Sequence, residues 1–262
     1  MRIAVTGSTG RIGRRVLQSL ADSGHELLGL TRRTAAYDDP AALRDALRGV
    51  DTLVFVSSDG EAARVLVHHL NVITAAEHCR VGHVVLLSGL DVDLESPFCY
   101  AFTNGYTEQL LLASGLPHSI VRAGLFTEFF LGLMRQVAAD GKVALPAGDG
   151  RVSLVARDDV ARCLAALALR EPTNRHHHAT GPQSLPVAAV AETAGYRYAD
   201  TTPAGFVRAL QDGGEEPWWT YAYSSMLDAV RQHRWQTATN EVAELTGTRA
   251  ASLAEVIGEH QD

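Results

Sequence analysis

Lysine is almost missing from this chain: of its 23 Lys and Arg residues, only Lys142 is a lysine. Any chemistry that needs a lysine in the N-terminal half has none to use. Cysteine is nearly as scarce, and Cys79, Cys99 and Cys163 lie far apart without ligand-like spacing. A disulfide framework is excluded, and the thiols read as reduced in a cytosol. No uncharged apolar run reaches the ~18 residues that span a bilayer, and strand-like residues rather than a secretory leader open the chain. A cytoplasmic protein without a membrane partner is expected. The net charge of −7 argues against a phosphate-backbone partner, so nucleic acid is not expected. Aromatic residues make up only 6%, which makes any local concentration of them informative. The richness in arginine and alanine reads as the codon bias of a GC-rich genome.

What is present begins at once. The apolar run of residues 1–5 leads into Gly7-Ser8-Thr9-Gly10-Arg11-Ile12-Gly13, and residues 14–21 follow with helical spacing. Strand, glycine turn and helix in that order place a pyrophosphate on a helix N-terminus. Gly7 permits the tight turn, Gly10 a close approach of backbone to phosphate, and Gly13 a close approach of helix to strand. Thr9, Arg11 and Ile12 complete the turn. A dinucleotide is the first ligand implied.

Farther along, apolar runs at 27–30, 52–56, 84–87 and 119–121 alternate with helical patterns at 40–47, 61–79 and 100–113. Continuous apolar strands between amphipathic helices predict an α/β fold, a doubly wound parallel sheet of Rossmann type covered on both faces. Residues 1–122 are expected to form the dinucleotide-binding core. Residues 123–262, where the alternation breaks down, are expected to return to that core and to build a smaller C-terminal substrate lobe. Only residues 31–52 separate Leu30 from Leu53, whereas helix, strand, helix and loops would need about 35 residues. One helix–strand pair is missing by this count. The second strand should then be a sheet edge, unless residues 34–37 form a vestigial strand.

That strand ends Thr31-Arg32-Arg33, where NAD-specific folds place an acidic residue on the ribose hydroxyls. Guanidinium groups instead match a 2′-phosphate through paired, charge-assisted hydrogen bonds. NADP(H) is the expected cofactor, with Arg32 and Arg33 as phosphate ligands and Arg11 as a third.

Several segments carry a family likeness: Ile3 to Gly10, Asn71-Val72-Ile73-Thr74-Ala75-Ala76, Thr107-Glu108-Gln109-Leu110-Leu111, Gly148-Asp149-Gly150-Arg151, Arg157-Asp158-Asp159-Val160-Ala161, Glu241 to Gly247, and Ser252-Leu253-Ala254-Glu255. Together and in this order they resemble the NmrA-like group of atypical short-chain dehydrogenases/reductases, and within it the bacterial NADPH-dependent quinone oxidoreductases. Relatives carry an additional helix and strand after Arg33, so the gap in length coincides with a gap in the resemblance. The resemblance implies that Ser57, Ser58, Ser88 and Gly89, at the ends of two central strands, face the nicotinamide half of the cofactor.

Catalysis is less legible. Short-chain reductases pair a tyrosine acid with a lysine four residues later; here Tyr100 is followed at that spacing by Asn104. These two are the catalytic candidates, although Asn104 brings hydrogen bonds and no charge. A quinone relaxes the need for an acid, because its ring is already electrophilic. Phe126 and Phe129 are the candidate pocket residues, and Phe130, Trp218, Trp219, Tyr221 and Tyr223 concentrate further aromatic surface in the lobe. The expected function is hydride transfer from NADPH to a quinone or polycyclic aromatic ketone, with natural-product biosynthesis as a setting and a homodimer as one assembly. Two alternatives stand beside it: an NADP-sensing regulator without catalysis, and a non-redox cyclase or isomerase in the same pocket. No metal is expected. His176-His177-His178 reads as a solvated turn before Gly181-Pro182, and His68 and His69 diverge on a helix.

Overall fold

In the computed structural model, which describes residues 1–259, the first half follows its hydrophobic spacing. The order is β1 (Arg2–Val5), α1 (Gly13–Leu20), β2 (Glu26–Gly29), α2 (Pro40–Leu47), β3 (Thr52–Val56), α3 (Ala62–His78), β4 (His83–Gly89), α4 (Cys99–Ala113) and β5 (His118–Ala123). Ile3, Ala4 and Val5, then Leu53, Val54 and Phe55, then Val84, Val85 and Leu86 are all buried, consecutive residues facing opposite sides of the sheet. Such strands cannot be solvated on either face, so helices must cover both. Local signals set the helix ends: Asp39 accepts from the amides of Ala41 and Ala42 at 3.0 Å, with Pro40 in the first turn of α2.

The second half runs α5 (Thr127–Val137), β6 (Lys142–Leu145), β7 (Arg151–Val152), α6 (Arg157–Ala168), β8 (His176–Ala179), β9 (Leu185–Pro186), α7 (Val187–Thr193), β10 (Arg197–Asp200), α8 (Pro203–Asp212), α9 (Pro217–Arg231), α10 (Glu241–Thr246) and α11 (Leu253–Glu259). Six parallel strands form the main sheet in the order β2-β1-β3-β4-β5-β8. One apolar cluster joins α1 and α6 to one face, and a second joins α2 and α3 to the other. The chain reverses its direction of winding between β1 and β3, which opens a crevice at the carboxyl ends of those strands.

The count of residues before β3 is confirmed in space. β2 is the sheet edge, and residues 34–37 are turn and coil rather than a strand. Tyr37, in the coil that follows β2, packs against the carboxyl end of β3 and against α3. Its hydroxyl donates to the Val56 carbonyl at 2.8 Å, its ring meets Phe55 and His68 edge-on, and Asn71 donates to its carbonyl at 2.9 Å.

One expectation fails outright. His176–Ala179 is not a solvated turn but β8, the last strand of the sheet, paired with β5 from Ile120↔His176 to Ala123↔Ala179. The burial of its histidines alternates as a strand requires: His177 is fully buried beside Glu241, at 3.2 Å, while His176 and His178 are only partly buried. Three polar residues hide this period from a hydrophobicity pattern.

Outside the sheet, β6 pairs with β10 and β7 with β9. Around these ribbons a third apolar cluster gathers Phe130, Met134, Phe206, Met226, Leu227 and Trp235. No helix among the described residues is long and apolar enough to cross a membrane.

Candidate functional site

The first turn of the crevice is built by steric necessity. Gly7 has φ +58°, a left-handed conformation that favours glycine. A Cβ on Gly13 would lie 2.7 Å from the Gly7 carbonyl carbon and 2.9 Å from the Thr6 oxygen, and closer still to the Gly7 oxygen. All three are backbone atoms, so no rotamer change relieves the clash. Gly10 donates to the Gly7 carbonyl at 2.8 Å, and Arg14 to Gly10 at 3.3 Å. The amides of Arg11, Ile12 and Gly13 find no acceptor among the described residues and lie at the positive end of α1. Thr9 is exposed in the same turn.

Two flanks hold this turn in place. Ser8 donates through both its amide and its hydroxyl to the Leu30 carbonyl, at 3.1 Å each, tying the turn to the end of β2. Thr6 Oγ1 accepts from the Val56 amide at 2.9 Å, tying it to β3. Beyond β2, Thr34 Oγ1 accepts from the Thr31 amide and donates to the Thr31 carbonyl, while Thr31 Oγ1 accepts from the Arg33 amide, and these bonds shape the loop that carries exposed Arg32 and Arg33. Arg32 shares this side with His68 and Arg64 of α3, and its charge helps hold the His68 imidazole below its usual range, after burial and Arg64. Arg11 is exposed in the turn itself, and its charge adds to the burial that holds the Arg157 guanidinium at the start of α6 below its usual range.

At the other end of the crevice stand the carboxyl ends of β3 and β4. Ser57 donates to the Leu87 carbonyl at 2.6 Å, and the Ser58 amide donates to His69 Nε2 at 3.1 Å. The hydroxyl of Ser88 turns away to Glu108, at 2.6 Å. Gly89 is covered by Asn104, whose Nδ2 would lie 2.5 Å from a Cβ there. The Asn104 side chain makes no hydrogen bond among the described residues. Tyr100 points instead at the β3–α3 loop, accepting from the Gly60 amide at 2.9 Å and donating to the Gly60 carbonyl at 2.8 Å. Burial holds its phenol above the usual range. Lys142, the lone lysine, is exposed on β6.

The two pocket candidates part company. Phe126 packs with the α1–α6 cluster, and the Arg157 guanidinium lies over its ring at 5.5 Å. Phe129 joins the lobe aromatics, 5.7 Å from Tyr223, which stacks on Trp219 at 5.9 Å. Trp218 meets Tyr100 edge-on at 6.3 Å. Two cavities of about 270 and 220 Å³, beside α10 and beside α5, touch neither the glycine turn nor β4. Among the described residues no cluster of His, Cys, Asp and Glu has the arrangement to hold a metal.

Sequence reasoning missed His69, which its place in a long helix does not distinguish. It is buried between Thr107, at 2.7 Å from Nδ1, and the Ser58 amide. Burial pulls its pKa from 6.5 down to about 3, aided by His68. In the unfolded chain this imidazole takes a proton near 6.5; in the fold it resists protonation until about 3. Its contribution to stability is thus present above pH 6.5 and lost as the pH falls toward 3. Denaturant midpoints should drop between pH 7 and 4.5, and His69→Gln should flatten that drop; an unchanged slope in the variant would refute the assignment. His83, lowered to about 4 by burial, acts in the same direction and leaves a residual slope.

A glycine turn at the switch point of a doubly wound sheet defines a dinucleotide-binding protein. The comparisons carry this further: the model of the NAD(P)H-binding family matches residues 7–171. An NAD(P)H azoreductase from Xenophilus azovorans is 32% identical over 206 residues, 72% of this chain and 71% of that protein. Quinone oxidoreductase 2 of Escherichia coli is 32% identical over 180 residues, a stretch that spans 62% of each chain. The crystal structure of an NADPH-dependent quinone oxidoreductase from Escherichia coli, complexed with NADPH, superposes with a TM-score of 0.89 at 25% identity, covering 99% of this chain and 100% of that one. The chain belongs to the NAD(P)H-binding family, within the NmrA-like group of atypical short-chain dehydrogenases/reductases.

Proposed function

We propose that this chain, an NAD(P)H-dependent oxidoreductase of the NmrA-like group, transfers hydride from NADPH to a quinone or a polycyclic aromatic ketone. The arginine-rich, alanine-rich composition favours an aromatic natural-product pathway as the setting. The observation that carries the reading is the Gly7–Gly13 turn, where backbone fills the space any side chain at Gly13 would take and three amides at the start of α1 have no acceptor among the described residues. A diphosphate fits such a cradle.

In this reading the amides of Arg11, Ile12 and Gly13 hold the diphosphate, and Thr9 and Gly10 border it. Arg32 and Arg33 hold the 2′-phosphate. Ser57, Ser58, Ser88 and Gly89 wall the nicotinamide half, with Asn104 offering an uncharged amide there. The bound coenzyme supplies a hydride equivalent. What the chain contributes is binding, alignment and exclusion of water. A quinone takes up hydride at an electrophilic ring and its proton from solvent, so a strong acid is not required of the protein. Half-buried Phe129 and Tyr223 offer flat apolar surface on the lobe side. The names of the relatives, quinone oxidoreductase and azoreductase, support conjugated acceptors.

Loss of NADPH absorbance on adding a panel of quinones and polycyclic ketones tests the reading. Turnover is expected with at least one quinone; saturable NADPH binding without turnover across the panel would favour a sensor instead. The paired arginines give a second check. Each charge-assisted contact contributes about 1.5–3 kcal/mol when well formed; these are exposed, so Arg32→Ala with Arg33→Ala should lower the NADPH-over-NADH ratio of kcat/KM by roughly ten-fold or more. An unchanged ratio would remove the phosphate assignment.

A further inference from the structure

The loop between β3 and α3, residues 57–61, is fastened to both neighbouring helices by side chains that the reaction itself does not call for. On one side, Thr107 of α4 donates its hydroxyl proton to the Thr103 carbonyl at 2.6 Å, so its oxygen is left to accept from His69 Nδ1 at 2.7 Å. This fixes the tautomer: Nε2 carries the lone pair and receives the Ser58 amide. On the other side, the Tyr100 hydroxyl both accepts from the Gly60 amide and donates to the Gly60 carbonyl. The ring is braced edge-on by Phe98, at 5.6 Å, and by Trp218 of the lobe, at 6.3 Å. A hydroxyl with its proton and a lone pair both engaged on one residue's backbone is built to hold that backbone.

We propose that Tyr100, with His69 as the second tether, is a positioning residue that fixes the β3–α3 loop as the wall of the nicotinamide end, and that it is not the proton donor. The inference rests on the reductase reading above for its kinetic consequences, while the tether itself does not. To protonate a substrate, Tyr100 would have to release the Gly60 carbonyl, and no lysine stands near to stabilise the phenolate that would remain. As a tether it gives up nothing during turnover. The link to Trp218 also joins this loop to α9, so the cofactor wall and the lobe share one brace.

Tyr100→Phe is the test, read in two ways. Amide hydrogen exchange on the protein without cofactor needs no activity: exchange at Gly60 should rise about ten-fold or more in the variant. In steady state with a quinone acceptor, losing two hydrogen bonds should raise KM for NADPH by about 5–30-fold, with kcat within about three-fold and its pH profile unchanged in shape. Thr107→Val, which frees His69 without touching Tyr100, should speed exchange at Ser58 more than at Gly60. Loss of kcat with KM and Gly60 exchange unchanged would make Tyr100 the acid and overturn the proposal, as would unchanged exchange at Gly60 by itself. If the wild-type protein turned over no quinone, the reductase reading would fall, and the exchange measurements would still decide the tether.

Discussion

Gly13→Ala should weaken NADPH binding by about a hundred-fold and lower the stability of the fold at the same time. The added methyl would meet the backbone of Gly7 and Thr6, and backbone yields only if α1 moves bodily off β1. Overpacking of this kind costs about 1–3 kcal/mol of stability. The larger effect falls on the ligand. Shifting the start of α1 takes the Arg11, Ile12 and Gly13 amides out of line with a diphosphate, and each hydrogen bond to a charged group contributes about 1.5–3 kcal/mol. Fluorescence titration of the variant with NADPH, beside a thermal melt, separates the two losses. An affinity within three-fold of wild type would show that the diphosphate does not rest on this turn. Gly24, whose Cβ would meet nothing within 4 Å, is the control position for steric effects, though its φ of +71° makes alanine there mildly strained.

Glu108→Ala should cost about 3–5 kcal/mol of unfolding free energy, the range for breaking a buried charge pair by removing one partner. Glu108 is 4% exposed. It accepts from Ser88 at 2.6 Å and holds Arg122 in a two-point contact, Nε at 3.0 Å and the terminal nitrogen at 2.5 Å. His176 Nε2 lies 3.1 Å from the same carboxylate without hydrogen-bond alignment. The cluster joins α4 to β4, β5 and β8, so its loss leaves a mostly buried guanidinium unpaired among three strands. Glu108→Gln keeps the shape and part of the hydrogen bonding, and should fall between wild type and alanine. Denaturant melts measure both; an alanine variant within about 1 kcal/mol of wild type would mean that solvent reaches Arg122 and replaces the carboxylate.

Where hydrophobic pattern and covalent geometry act locally, the sequence was readable. The runs at 40–47 and 52–56 match α2 and β3 residue for residue, because Asp39-Pro40 marks a helix start and five consecutive apolar or β-branched residues mark a buried strand. The glycine turn was equally plain, since three glycines at fixed spacing answer three separate steric demands. Counting residues was enough to place β2 at the edge, but not to foresee that Tyr37, in the coil after it, would bond to Val56 at the end of β3. The misreading of β8 has a physical cause: its alternation is carried by histidines, one of which is buried through Glu241 and Thr173 rather than through hydrophobicity. The tethers of the β3–α3 loop were invisible for a related reason. Tyr100 and Gly60 are 40 residues apart, His69 and Thr107 are 38 apart, and a side chain meeting distant backbone leaves no period in the chain. Tyr100 drew attention for its spacing to Asn104, yet it is the Gly60 backbone that its hydroxyl meets.

All of the chemistry proposed depends on a reduced nicotinamide coenzyme resting on the Gly7–Gly13 turn. Isothermal titration of the purified wild-type protein with NADPH, and in parallel with NADH, measures this most directly. A saturable one-site isotherm is expected for NADPH and a weaker one for NADH; no heat with either coenzyme at concentrations up to the millimolar range would mean that the turn holds no such coenzyme.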